Sequence, residues 1–349
     1  MSDFDEYKRL TEPEKKEKLE IWQTAIGLQD VDGLKPSNYL IETAKQNIDG
    51  KISISDVKER LNAYYRTKDE KIGNKDRTEE ADKVSAHIAE ILAEKTFKFS
   101  PAEFLSIHRR LFTGIYKFAG IIRNYNISKD EWVLNGDTIY YASADSINET
   151  LDYDFSIEKK FDYKGLNIKQ KVEHIADFVS GIWQIHPFGE GNTRTAAVFL
   201  IKYLRSMGFA VSNDMFAEHS WYFRNALVRA NFNKHTTGTY PTMEYLMRFF
   251  GNLLLGEKNL LRNRDMRIRI ENDDNSENKV QNKVQNKVQN DILKIITERP
   301  NITQKELAEL ISKSERSIKT IMTSMQEQNL IARSGSKKTG YWKILDTRN

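Results

Sequence analysis

Residues 1–70 read as helical and self-contained. The segment WQTAIGLQDVDGLKPSNYL carries turn signals at Asp32-Gly33 and Lys35-Pro36. A second helical pattern runs through Leu40, Ile41 and Ala44 to Ile48, where Gly50 stops it. A third follows Ser53, with Val57, Leu61 and Tyr64 on one face. The polar stretch RTKDEKIGNKDRTEEAD then reads as a linker or a loop feeding the next helix.

From residue 82 to 259 the pattern is mostly helical, with helices predicted over 84–95, 101–116, 169–185, 194–207, 220–232 and 243–255. One segment breaks it. Residues 131–141, EWVLNGDTIYY, place two β-prone runs around Asn135-Gly136, a strong hairpin signal. A lone hairpin in a helical domain is marginal by itself and suits a flap better than a core.

Residues 278–290 repeat Asn-Lys-Val-Gln, too short and too polar for a solenoid. A linker and a short helix with a valine stripe both fit. Residues 291–346 form a compact unit. Ile292, Leu293, Ile295 and Ile296 make one helix ended by Pro300, and Thr303 with Glu306 forms a capping box for the next. A third helix turns Ile318, Ile321, Met322 and Met325 inward, and the end alternates like a hairpin around a basic turn. Three helices and a hairpin in this order look like a winged helix-turn-helix. The fold expected is mainly α, with a flap hairpin and a small C-terminal winged-helix domain. The boundaries expected are 1–70, 80–259, a linker at 260–290, and 291–346.

Composition narrows the class. The 349 residues are 39% hydrophobic, enough for a packed core. A formal net charge of +4 hints only faintly at acidic partners. Cysteine is absent, which excludes disulfides and thiolate metal sites and fits a reducing compartment. The polar start, MSDFDEYKRL, is no signal peptide, and no apolar run approaches bilayer length. The expectation is a soluble cytoplasmic protein.

The chemistry concentrates in HPFGEGNTRTAA, residues 186–197. His186, a possible base, ends a helix carrying Val172, Ile175, Val179, Ile182 and Trp183. Phe188 reads as an anchor that buries its ring. Glu190 can bind Mg²⁺, which takes one or two carboxylates plus phosphate oxygens. Gly191 and Asn192 can present backbone N–H groups to an anion at the start of the next helix. Arg194 has a planar fork suited to phosphate. Each has an ordinary structural reading alone; their coincidence in one loop points to nucleotidyl or phosphoryl transfer.

The loop resembles the Fic family signature, HxFx(D/E)GNGRxxR. The resemblance extends upstream to IHRRLFTGIYKFAGIIRNYNI, with its Ala-Gly-x-x-Arg turn, and downstream to HSWYFRNALVRANFN. It covers about residues 80–255. The resemblance implies a Fic-type helical bundle that transfers AMP from ATP to a Ser, Thr or Tyr hydroxyl of a protein. His186 would be the base, Glu190 the Mg²⁺ ligand, Asn192 and nearby N–H groups the anion hole, and Arg194 the phosphate grip. Phe188, Gly189, Gly191 and Thr193 complete the nucleotide loop. The flap, Trp132, Val133, Leu134, Asn135, Gly136, Asp137 and Thr138, would pair with an extended target segment.

Two positions depart from the pattern. Thr193 stands where the second glycine is usual, and its Cβ would crowd the anion hole. Ala197 stands where the second arginine is usual. The Doc branch lacks both features and transfers a phosphoryl group, so the transferred group stays open between AMP and phosphate. A DNA-binding regulator with a nucleotide-sensing core is the other alternative. The family's inhibitory motif (S/T)xxxE(G/N) has no clean match: Ser2/Glu6 and Ser55/Glu59 are followed by Tyr7 and Arg60. The N-terminal unit resembles antitoxin-like helical segments, and Asp32 is its candidate inhibitory carboxylate. In a winged helix, Ser314, Arg316, Ser317, Lys319 and Thr320 would face DNA, with Arg333, Lys337 and Lys338 on the wing. Winged helices also bind proteins. The expected partners are a hydroxyl-bearing protein target, DNA, and a second copy of the chain, without a membrane.

Overall fold

The computed structural model describes residues 4, 12–68, 77–211, 214–234, 238–268, 291–297, 299–311, 315–327, 331–334 and 341–344. It divides into two compact units, Met1–Ile268 and Arg269–Asn349.

The first unit is helical: α1 (Pro13–Gly27), α2 (Asn38–Ile48), α3 (Ile54–Lys68), α4 (Thr78–Ala93), α5 (Pro101–Phe112), α6 (Ile147–Lys160), α7 (Ile168–Ile185), α8 (Asn192–Ser206), α9 (Asp214–Asn231) and α10 (Glu244–Leu254). Local chemistry sets several starts. The Ser37 hydroxyl accepts from Leu40 N–H, and the Ser100 hydroxyl accepts from Glu103 N–H ahead of Pro101 at the first helical position. Asn167 and Gln170 close a reciprocal capping box on α7. The helical pattern expected from Ser220 marks only the second part of α9, because His219 breaks the helical backbone at φ −129°. α6 was not predicted, although Ile147, Leu151 and Phe155 are its buried stripe.

One hydrophobic core runs through this unit. α8 lies at its centre, with every residue from Asn192 to Leu204 buried. The N-terminal helices share that core: Trp22, Leu28, Leu40, Ile48 and Leu61 belong to the same cluster as Phe188, Phe199 and Leu200. α1 packs on α4 and α9. A Cβ on Gly27 would lie 2.3 Å from the Ala217 carbonyl oxygen, so glycine permits this close approach. The 3₁₀ turn Leu28–Asp32 is thereby brought against α8.

The hairpin expected at 131–141 is not a β ladder. Trp132–Leu134 forms a 3₁₀ turn, Asn135 is left-handed at φ 55°, and the Glu131 carbonyl accepts from Gly136 N–H at 3.0 Å. Asn135-Gly136 does make the turn, and Glu131 N–H donates to the Asp137 carbonyl across it at 2.9 Å, but no strand pairing follows. Ile268 N–H donates to the Val133 carbonyl at 2.9 Å, and the Asn135 amide donates to the Ile268 carbonyl at 2.9 Å. Beyond that bond, anchoring to Ile268 takes the place of cross-strand pairing.

In the second unit α11 (residues 291–297), α12 (Gln304–Leu310) and α13 (Glu315–Glu327) precede antiparallel β1 (Ile331–Ser334) and β2 (Tyr341–Ile344), with Ile331 opposite Ile344. The Thr303–Glu306 capping box forms as the sequence indicated. Ile292, Ile296, Leu307, Ile318, Met322, Met325 and Trp342 make its core, and Ile321 packs partly buried against it. This is winged-helix order. Lys319 is exposed on α13. Ser314, Lys337, Lys338 and the 278–290 repeat lie outside the described residues, as do the side chains of Arg316, Ser317 and Thr320.

Candidate active site

His186 caps the C-terminus of α7 in a left-handed conformation, φ 51°, uncommon for a residue with a Cβ. Arg123 holds it there. Its guanidinium donates to the carbonyls of His186 at 2.8 Å, Tyr125 at 2.7 Å, Ala142 at 2.5 Å and Ile185 at 3.3 Å, while its backbone N–H donates to the Pro187 carbonyl at 2.8 Å. His186 Nδ1 lies 3.0 Å from the Trp183 carbonyl. A carbonyl only accepts, so Nδ1 carries the proton and Nε2 keeps its lone pair. Burial, then the positive charge of Lys129, depresses the His186 pKa well below its ordinary value, so the ring is neutral near pH 7.

The rest of the loop is held from inside. The Phe188 ring stacks on His108 at 3.6 Å between centroids and on Phe104 at 6.0 Å, as its expected anchoring role requires. The Asn192 amide is a staple: its oxygen accepts from Phe188 N–H at 3.0 Å and its nitrogen donates to the Phe188 carbonyl at 2.8 Å. His108 was missed in sequence. Gly120 N–H donates to its Nδ1 at 2.8 Å, which leaves Nε2 to donate to the Glu190 carbonyl at 3.0 Å. Burial lowers the His108 pKa to about 4, keeping that neutral tautomer. No spacing linked α5 to the loop, since residue 108 sits 82 positions from Glu190.

Gly191 starts α8 at φ 79°, and a Cβ there would lie 2.3 Å from the Phe112 ring. It provides no side-chain cap, so among the described residues no side chain satisfies the first-turn N–H groups of α8. Thr193 turns its hydroxyl to accept from Trp183 Nε1 at 3.0 Å, so the side chain packs on α7. Ala197 is wholly buried. Glu190 remains accessible, its side chain 47% exposed, with Oε2 3.2 Å from Lys129 Nζ.

Arg194 is the opposite case, at 0% exposure. One Nη is 2.7 Å from Glu80 Oε1 and 2.8 Å from Asp32 Oδ2, the other donates to Gln29 Oε1 at 3.1 Å, and the guanidinium lies over the Phe112 ring. The Asp32 contact is a charge pair without an aligned hydrogen bond, since Asp32 Oδ2 and Arg194 Nε have no hydrogen-bond partner. Glu80 also accepts from Arg77 and from the Tyr116 hydroxyl. Burial works to raise the Glu80 pKa, but the Arg77 hydrogen bonds and the Arg194 charge outweigh it and hold the carboxyl below its ordinary range.

The flap residues separate by exposure. Val133 and Leu134 are core, whereas Trp132 is exposed beneath Arg267. Asp137 pairs with Lys234 at 2.7 Å, and its carboxylate also accepts from Thr138 N–H. Tyr141 packs over His186 at 4.2 Å between centroids, and its hydroxyl donates to buried Glu131, which is paired with Arg224 at 2.7 Å.

Residues 98–204 match the Fic/DOC family, and residues 285–332 match a winged helix-turn-helix DNA-binding family. Residues 98–204 are a Fic/DOC domain. This Fic/DOC domain spans α5 to α8 and contains the whole loop. The chain is 26% identical over 117 residues to the protein adenylyltransferase VbhT of Bartonella schoenbuchensis, covering 34% of this chain and 23% of that one. It is 23% identical over 163 residues to a protein adenylyltransferase of Bartonella henselae, covering 44% of this chain and 29% of that one. The chain thus matches about a quarter of the length of these relatives. A crystal structure of a Fic family protein from Desulfovibrio desulfuricans G20 aligns over 99% of this chain and 91% of its own, at 13% identity and a TM-score of 0.45. No helix among the described residues is long and apolar enough to cross a membrane.

Proposed function

We propose that this protein is a Fic-type transferase that moves AMP from ATP to a Ser, Thr or Tyr hydroxyl of a protein. The observation that carries the reading is the neutral His186, its Nδ1 proton held by the Trp183 carbonyl so that Nε2 keeps its lone pair, in the same loop that leads into α8. His186 Nε2 takes the proton of the target hydroxyl as its oxygen bonds to the α-phosphorus. The bond to the β-phosphate breaks, and pyrophosphate leaves. The first-turn N–H groups of α8 stabilise charge on the phosphate oxygens. The names of the two Bartonella relatives support AMP as the transferred group.

Among the described residues no group of three His, Cys, Asp or Glu is placed to hold a metal alone. One accessible carboxylate, Glu190, fits Mg²⁺ that takes its other ligands from phosphate and water. When bound, that ion would supply positive charge to the phosphates. Arg194 would contribute its charge from behind the loop, through Nε or after release from Asp32 and Glu80. The winged-helix unit would bind DNA, with Lys319 exposed on α13.

Incubation with ATP labelled at the α- or γ-phosphate, using wild type and His186→Ala, tests the reading. Label from the α-phosphate that depends on His186 supports AMP transfer. Label from the γ-phosphate alone replaces it with the Doc-like phosphotransferase. No His186-dependent label removes the enzyme claim and leaves the nucleotide-sensing regulator.

A further inference from the structure

The cations around the loop differ in what could detach them. Arg123 is fixed by four carbonyls, Arg224 is paired with wholly buried Glu131, and Arg194 is buried between two carboxylates. Lys129 is different. Its backbone N–H is held by the Thr138 hydroxyl at 3.2 Å, while among the described residues its ammonium pairs with the accessible carboxylate of Glu190. A lysine ammonium is a compact charge on a flexible four-carbon stem with three rotatable donors, so it can change partner without moving the backbone. Its ammonium thus lies at the signature loop, and its charge also acts on His186. Ala197 brings no cation to the terminal phosphates.

We propose that Lys129 is a polyphosphate-binding residue that exchanges partners when nucleotide loads. Glu190 turns from the Lys129 ammonium to the nucleotide's Mg²⁺, and the freed ammonium donates to oxygens of the β- or γ-phosphate. This rests on the nucleotide reading of the site and adds a ligand contact that the signature loop lacks. No covalent step is involved.

Calorimetric titration of the wild-type chain, Lys129→Met and Lys129→Arg with the β,γ-imido analogue of ATP and with AMP tests it. The partly exposed position of Lys129 predicts equal melting temperatures for the three proteins. In Mg²⁺, Lys129→Met should bind the imido analogue about tenfold more weakly, the usual size for a lost charge-assisted hydrogen bond. AMP affinity should be unchanged, and Lys129→Arg should keep the wild-type preference. In EDTA the difference between wild type and Lys129→Met should shrink, because Glu190 then retains the ammonium. Equal affinities for the imido analogue in Mg²⁺, or an equal loss for AMP, would overturn the proposal and leave the nucleotide reading standing. A wild type that binds neither ligand removes the nucleotide reading and this proposal with it.

Discussion

At one end of the loop His186 is buried but uncharged, with one ring nitrogen tied to a carbonyl and the other available. At the other end Arg194 is buried and charged, and its terminal nitrogens are occupied by Glu80, Asp32 and Gln29. Burial acts on both, with different consequences. A histidine answers desolvation by losing its proton, which is the state a base needs. An arginine cannot, so its burial demands carboxylate partners, and those come from the 3₁₀ turn after α1 and from α4. The base end is set by residues within the Fic/DOC domain; the cation end is set by the N-terminal segment. Asp32, singled out in sequence as an inhibitory carboxylate, stands on the first arginine of the signature.

The largest expected contrast is at His186. His186→Ala should lower α-label transfer by about 10²–10⁴-fold, the usual contribution of a general base, while nucleotide binding persists. Parallel rate and binding measurements check this, and an unchanged rate would remove the base from its end of the loop.

At the other end, Glu80→Ala leaves Arg194 and Arg77 without their shared buried partner. A loss of about 3 kcal/mol in urea unfolding is expected, whereas Asp32→Ala, at a partly exposed position, should cost under about 1 kcal/mol. If Asp32 restrains Arg194, its removal should also raise nucleotide affinity. Equal stability losses for the two variants would erase the distinction between the deep and the shallow partner.

Acid should also weaken the supports on the base side. His108 titrates near 6.5 when unfolded and at about 4 when folded, so between these values the unfolded chain binds the extra proton. Its contribution is complete above pH 6.5 and falls progressively down to about pH 4, by roughly 3 kcal/mol in total. His87 and His186, both lowered by burial, add in the same direction. Unfolding at pH 7.5 and 4.5 measures the sum, and His108→Gln should reduce the pH dependence.

The smallest expected effect is at Thr193. Thr193→Val leaves Trp183 Nε1 without its acceptor and should cost about 1–2 kcal/mol of stability, with transfer little changed. A large loss of transfer with intact stability would put this side chain back in the anion hole.

Much of both units was legible because buried helices write their stripe at a period of 3.6 residues and their caps in local residue pairs. Val172, Ile175, Val179 and Ile182 on α7 are all buried, and the Thr303–Glu306 box marks the start of α12. The flap read as a ladder because β-prone runs around Asn135-Gly136 also suit a 3₁₀ turn whose adjacent Val133 and Leu134 are both buried and which bonds a distant segment. Thr193 looked like an obstruction because sequence shows a Cβ but not the direction it points.

The residue set of the loop, from His186 to Arg194, was determined by the sequence alone, because base, carboxylate, glycine turn and arginine lie within a few positions and need no partner to be recognised. Their states were decided by the tertiary structure. Arg123 holds the His186 carbonyl, the Trp183 carbonyl sets the His186 tautomer, His108 holds the Glu190 carbonyl, and Glu80 with Asp32 occupies Arg194. Charge and protonation depend on burial and, for Arg194, on partners more than a hundred residues away in the chain. No local pattern encodes them, because a linear pattern reports which face of an element is apolar and not what the opposing element brings to it.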